Sequence, residues 1–224
     1  MTYNSNLTLY QHDFHAMGSP CVLHLYCSSP EYFDNAVEQS ITKVKELENQ
    51  YSRYSSDSLL SDINRNAGTD KRFQLTDEFW TLLQYADTAY EISDGLFDVT
   101  SGVLRKIWDF KDKNIPEISK INSTLSLVGW PKITLSKDAF FLPDAEMELD
   151  FGGIVKEYAA DLLVDTLKLA GLQHGLIDMG GDISIIGPHP SNNPWQVAIC
   201  DPSNPNQAIA HIPLTSGGLA SSGA

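Results

Sequence analysis

Two glycines followed, three residues on, by a lysine are the part of this chain best suited to holding a charged ligand. They stand in the run from Asp150 to Asp161, DFGGIVKEYAAD. Gly152 and Gly153 precede an apolar helical stripe, so the first N–H groups of that helix are expected to be uncovered, with room for a phosphate to approach. Lys156, in the first turn, would supply the neutralising cation. A helix start favours acidic side chains, so a lysine there needs a reason. The same residues also describe a Gly-rich strand-to-helix turn with a solvated lysine, and the residue types leave both accounts open.

Other candidates are weaker one by one. Gly180 and Gly181, followed by Asp182, fit a tight hairpin or a close approach of a flat ligand to bare backbone. The segment Ser93 to Thr100 reads as a helix stop with a polar loop, or as a loop whose Phe97 lies against a ring of a ligand. Tyr51, Arg53 and Tyr54 form an aromatic–cationic surface that suits stacking, though such surfaces are common beside polar turns. The histidines lack ligand spacing, and Met17-Gly18 before a strand means little alone. Three cysteines without CxxC or Cys/His spacing argue against a disulfide framework or a structural zinc site.

The elements that must carry these residues follow from periodicity. A buried strand is expected over 21–26, then a helix from Pro30 with Val37, Ile41, Val44 and Leu47 on one face. A polar loop is expected over 52–68, and a helix from the N-cap Thr76 to about Ile92. Residues 114–143 read as loops and short strands. A third helix follows Gly153 and ends near Gly171, and strands are expected over 175–180, 182–187 and 195–200. Helices and strands alternate without strict βαβ units, so the fold class is α+β. The 224 residues, 42% of them hydrophobic, suffice for a large buried core. A formal net charge of −14 disfavours nucleic acid and anionic lipid as partners. A phosphate ligand would therefore need a local site of amides and cations. No stretch reaches membrane-span length, and the N-terminus lacks a secretion signal, so the chain reads as soluble and not inserted in a membrane.

In order along the chain, these segments resemble the ApbE family of FAD:protein FMN transferases. The matching blocks are HAMGS from His15 and YSRY from Tyr51, with Asp57-Ser58 and Asn64-Arg65. They continue with DGLFDVT from Asp94, with Leu104 and Trp108, then Asp150 to Asp161, LIDMGGD from Leu176, Pro194-Trp195 with Asp201-Pro202, and ASSG from Ala220. The resemblance implies two intertwined α+β parts of one ApbE-like domain, residues 1–224, with FAD in the cleft between them. It implies a Mg²⁺-assisted reaction that moves FMN from FAD onto a Thr or Ser of an acceptor protein in a membrane redox complex, releasing AMP. Family members are often periplasmic or inner-membrane lipoproteins. Carried over by motif position, FAD contact falls to Met17, Tyr54, Leu96, Phe97, Asp98 and Lys156, with Asp182 near the cofactor; Gly152 and Gly153 join them from the turn described above. Ala159 matches the position whose carbonyl helps hold the metal. No catalytic side chain is assigned.

Two departures matter. Glu157 stands where family members often have Gly, adding a carboxylate that either contacts the metal or opposes anion binding. After Ala224 the family pattern continues with further metal ligands, so the chain is expected to be C-terminally truncated and not to transfer flavin alone. The alternatives are a non-catalytic FAD-binding or carrier protein, and an acidic scaffold that binds nothing small.

Overall fold

A computed structural model describes residues 6–108 and 115–221, together with the backbone but not the side chains of 205 and 206. The expected Asn114 loop start and the Ser222–Gly223 end of the last motif lie outside the described residues. The chain divides into two compact units, one made of Met1–Glu48 with Lys156–Ala224 and the other of Asn49–Val155.

The first unit is built on a five-stranded antiparallel sheet of order β1-β2-β3-β4-β7. Its strands are β1 (Thr8–Ala16), β2 (Ser19–Cys27), β3 (Gly175–Met179), β4 (Ile183–Gly187) and β7 (Gly218–Leu219). Alternation along β2 buries Cys21, Leu23, Leu25 and Cys27, as period-two side-chain geometry requires. Helix α1 (Pro30–Tyr51) covers that face, with Phe33 stacked on Tyr10 of β1 at 5.1 Å between ring centroids. Helix α5 (Val155–Leu169) lies on the same face, where the Ser184 hydroxyl of β4 donates to Asp161 at 3.0 Å. Strands β5 (Trp195–Asp201) and β6 (Asn204–Leu214) form a separate two-stranded sheet. Helices gathered on one face of an antiparallel sheet make the α+β class.

The second unit is mainly helical: α2 (Leu59–Arg65), α3 (Asp77–Ile92) and α4 (Ile118–Leu125), with 3-10 turns at Gly102–Lys106 and Trp130–Lys132. Its core holds an aromatic cluster among aliphatic side chains. Phe79 is fully buried and lies 5.3, 5.6 and 6.2 Å from the rings of Tyr51, Phe151 and Phe140.

Several expectations need correction. The loop expected over 52–68 contains α2, which the Ser58 hydroxyl caps by accepting from the Ser61 N–H while Leu60 and Ile63 anchor the helix from inside. Helix α4 replaces loops and short strands within 114–143; its Ile118, Ile121 and Leu125 recur at helical spacing, but the run is only eight residues long and buries only Thr124. Strands β1, β6 and the short β7 lie outside the expected elements. No helix of the described residues is long and apolar enough to cross a membrane.

Candidate functional site

In the second unit a cleft of about 490 Å³ opens beside the end of α3. The helix stops where Gly95 N–H donates to Tyr90 O at 2.9 Å and the Ser93 hydroxyl accepts from Phe97 N–H at 2.9 Å. This stop turns Leu96 outward, 92% exposed, and sets Phe97 in the cleft wall. A Cβ built on Gly153 would sit 3.1 Å from the Phe97 ring, so the glycine backbone and the ring are in close contact. Trp108 and Leu104 add apolar wall.

Asp98 does something its motif position did not suggest. Its Oδ1 accepts from the Thr100 N–H at 2.7 Å and hydroxyl at 2.6 Å, and its Oδ2 accepts from the Trp130 N–H at 2.9 Å. The Thr100 hydroxyl in turn accepts from Gly129 N–H at 2.7 Å. The carboxylate thus builds the loop that carries Phe97.

The polar side of the cleft is a charge network. Asp150 Oδ2 pairs with Arg53 and, at 3.3 Å, with Arg105. Buried Glu148 pairs with Arg105 and, at 3.2 Å, with Lys106. Asn64 clamps the segment by donating to Leu149 O at 2.9 Å and accepting from Leu149 N–H at 2.8 Å. Gly102 is required for this approach, because a Cβ there would lie 2.9 Å from Asp150 Cβ. Arg53 also donates to the Tyr54 hydroxyl at 2.7 Å, and Tyr54 is 84% exposed. Tyr51 does not join this surface; it ends α1 and is buried in the aromatic core.

One expectation about Gly152 and Gly153 is overturned. The Gly152 N–H is not bare, since Asp150 Oδ1 accepts from it at 2.8 Å. The helix does follow the glycine pair: it starts at Val155, whose N–H and that of Ile154 both donate to Phe151 O at 2.9 Å. An Asx-type carboxylate occupies the position where a phosphate was expected.

In the first unit Lys156 is one of only four Lys or Arg residues, with Lys43, Lys45 and Lys168. It is not a solvated lysine: its Nζ lies 3.1 Å from Oδ2 of the buried Asp182. Asp182 follows a two-residue hairpin turn in which Gly180 and Gly181 have φ of 73° and 98°, a geometry that favours glycine. Met17 and Gly18 make the matching turn between β1 and β2. Met17 has φ 51°, an uncommon conformation for a side chain of its size, and its N–H donates to Glu48 Oε1 at 3.0 Å.

Glu157, in the first turn of α5, has a buried Oε2 with no hydrogen-bond partner among the described residues. Burial raises its carboxyl above the ordinary 4.5; Asp182 and Asp161 push the same way, while its own backbone N–H and Lys156 oppose. A carboxyl raised in the folded state stabilises the fold fully below its unfolded pKa, and that contribution is lost as pH rises through the folded value. Glu157→Gln should therefore raise the unfolding midpoint at pH 7–8, with the gain vanishing below about pH 4. Thermal scans at both pH values check this; an equal gain at both would sink it.

For a divalent cation the fit is poor. Ala159 is fully buried within α5, and among the described residues no three His, Cys, Asp or Glu side chains converge as ligands. Magnesium takes near-octahedral oxygen coordination. The side chains of the described residues do not supply that set.

Comparison with known proteins gives a consistent set of matches. The model of the ApbE family matches residues 17–224. An FAD:protein FMN transferase of Klebsiella pneumoniae is 29% identical over 209 residues, covering 92% of this chain and 63% of that protein. One from Vibrio cholerae is 25% identical over 173 residues, covering 75% and 52%. Among solved structures, the ApbE protein of Thermotoga maritima superposes with a TM-score of 0.83 at 24% identity, covering 94% of this chain and 69% of that one. The apo flavinyl transferase ApbE of Pseudomonas stutzeri gives 0.77 at 26% identity, covering 87% and 66%. The matches span 52% of the Vibrio cholerae transferase and 63% of the Klebsiella pneumoniae one, so the chain covers less than two thirds of the length of either.

Proposed function

The chain belongs to the ApbE family, and from that premise we propose that it is the flavin-binding part of an FAD:protein FMN transferase. In the proposed reaction an acceptor hydroxyl, on a Thr or Ser, forms a bond to the phosphorus on the FMN side of FAD. The bond from that phosphorus to the bridging oxygen breaks, AMP leaves with the oxygen, and the hydroxyl proton is released. The acceptor would be a subunit of a membrane redox complex. Magnesium dependence is part of the same proposal, with ligands that the described residues do not supply, and a transfer assay with and without EDTA tests it.

The residues assigned to FAD are Tyr54, Leu96, Phe97, Asp98, Gly152 and Gly153 in the second unit, and Met17, Lys156 and Asp182 in the first. The observation that carries the reading is the cleft at Phe97, where an aromatic and apolar wall faces two arginines across a glycine turn. Such a mixture suits a ligand with planar rings at its ends and a diphosphate between them.

Quenching of flavin fluorescence on titration with FAD tests binding, and the mass of an acceptor peptide tests transfer. Assayed on the full-length protein, binding with a gain of one FMN and release of AMP is expected of the transferase; binding without transfer by the full-length protein would identify a carrier. No binding would end the proposal. Lys156→Ala is expected to weaken FAD binding by about 1–3 kcal/mol, the range for a charge-assisted contact. It also leaves Asp182 buried without its cation, so affinities are to be compared where both proteins are folded. Unchanged affinity would reduce Lys156 to a structural partner of Asp182.

A further inference from the structure

We infer that Arg53 and Arg105 are the anion-binding side chains of the cleft at Phe97, and that Asp150 is their internal competitor, a carboxylate that takes the same donors a phosphate would. The inference rests on the flavin reading only for the identity of the ligand. The chemical class it needs is an organic diphosphate.

The donor set is already assembled around Asp150. Its two oxygens receive the Arg53 guanidinium, Nη1 of Arg105 at 3.3 Å and the Gly152 N–H at 2.8 Å. Guanidinium groups and a turn N–H converging on one point are what a phosphate oxygen requires. A carboxylate satisfies them with one negative charge, whereas a diphosphate brings more charge and more acceptor atoms.

The local charge balance favours the exchange. Three cations, Arg53, Arg105 and Lys106, face two carboxylates, Glu148 and Asp150. The ion-paired groups alone carry one surplus positive charge, which Asp98 in the cleft lining offsets, so the cleft is near neutral in a chain whose net charge is −14. Glu148, the more deeply buried acid, holds Arg105 and Lys106 from below. Asp150 sits at the cleft surface with 15% of its side chain exposed, against 31% for Arg53 and 37% for Arg105. Both guanidinium groups therefore reach solvent and can rotate from the carboxylate to an incoming anion without unpacking the core. Because both guanidinium groups keep solvent access beside a part-buried carboxylate, Asp150 is a displaceable partner.

The test is calorimetric titration of the wild-type chain, Arg53→Gln and Asp150→Asn with FAD, ADP and riboflavin. Arg53→Gln should weaken FAD and ADP about tenfold or more and leave riboflavin unchanged. Asp150→Asn keeps the acceptor for Gly152 but removes the competing charge, so it should tighten ADP by about two- to fivefold. A misfolded variant cannot bind more tightly, so this gain separates the inference from simple loss of structure. Equal FAD affinity in Arg53→Gln, or weaker ADP binding by Asp150→Asn, overturns the inference while leaving the flavin reading intact. Arg53-dependent binding of ADP by a chain that binds no flavin does the reverse. A wild-type chain that binds neither FAD nor ADP overturns both.

Discussion

Phe79→Ala is expected to destabilise the second unit by about 3–5 kcal/mol, the range for truncating a fully buried aromatic ring. Phe79 has no exposed surface, and its ring meets Tyr51, Phe140 and Phe151 edge-on or tilted. Those three residues come from the end of α1, from the segment bridged to Phe73, and from the turn just before Gly152. Removing the ring leaves a cavity that none of the three can fill without tilting the others. For a unit of this size each kcal/mol shifts the unfolding midpoint by about 4–8 °C, so a fall of more than 10 °C in a circular dichroism melt is expected. A shift of only a few degrees would mean that the aromatic cluster is not the core of the unit. Because Phe151 adjoins the glycine turn, affinity for FAD should fall as well.

Asp98→Ala should cost about 3 kcal/mol of stability or more and weaken FAD binding at least tenfold. The stability figure comes from unsatisfied donors: the variant strands the N–H of Trp130 and the N–H and hydroxyl of the buried Thr100, at about 1–3 kcal/mol for each group left without a partner. The binding loss follows because the loop that sets Phe97 is no longer pinned to Gly129 and Trp130. Asp98→Asn retains one acceptor but turns an amide toward a donor, so it should recover only part of the loss. A residue that merely touched the ligand would change affinity and leave the melt unchanged. That outcome would return Asp98 to a contact role.

How much of this could be read from the chain depends on where each signal resides. Helix α3 is legible because Thr76 caps it and Phe79, Leu82, Leu83 and Ala86 form one buried stripe. Strand β2 is legible because its buried positions are all apolar or Cys. Its neighbour β1 is not, since its helix-covered positions are Tyr10, His12 and Phe14, and a histidine in that row breaks the alternation. Strand β6 hides behind Pro205 and Pro213, which a central strand could not accept but an edge strand can. Helix α2 carries only two buried residues in a run of Ser, Asp and Asn, whose side chains compete with helix backbone.

The site divides in the same way. The motif order located the segments, since Phe97, Gly152 and Gly153 do border one cleft. What the motifs could not give was which atoms are already taken. Asp150 and Arg53 are 97 residues apart in sequence, and the capture of the Gly152 amide by Asp150 is a side-chain rotamer choice. The pairing of Lys156 with Asp182 likewise joins the start of a helix to a hairpin turn across the sheet. Such partnerships are settled by tertiary packing, and a linear pattern records only that each residue is polar.

The order of synthesis gives the divided first unit a particular exposure. Strand β2 has β1 on one side, but its other neighbour, β3, pairs through Cys21 with Met179 and through Leu25 with Gly175. A nascent chain therefore presents β2 as an open edge, with Leu23 and Leu25 on its apolar face, until more than two thirds of these residues have emerged from the ribosome. The intervening unit is contiguous and can close by itself meanwhile. Edges of that kind recruit strands from other molecules, so the aggregation hazard falls on the first hairpin, and a holdase chaperone that shields it should raise the yield of correctly folded chains.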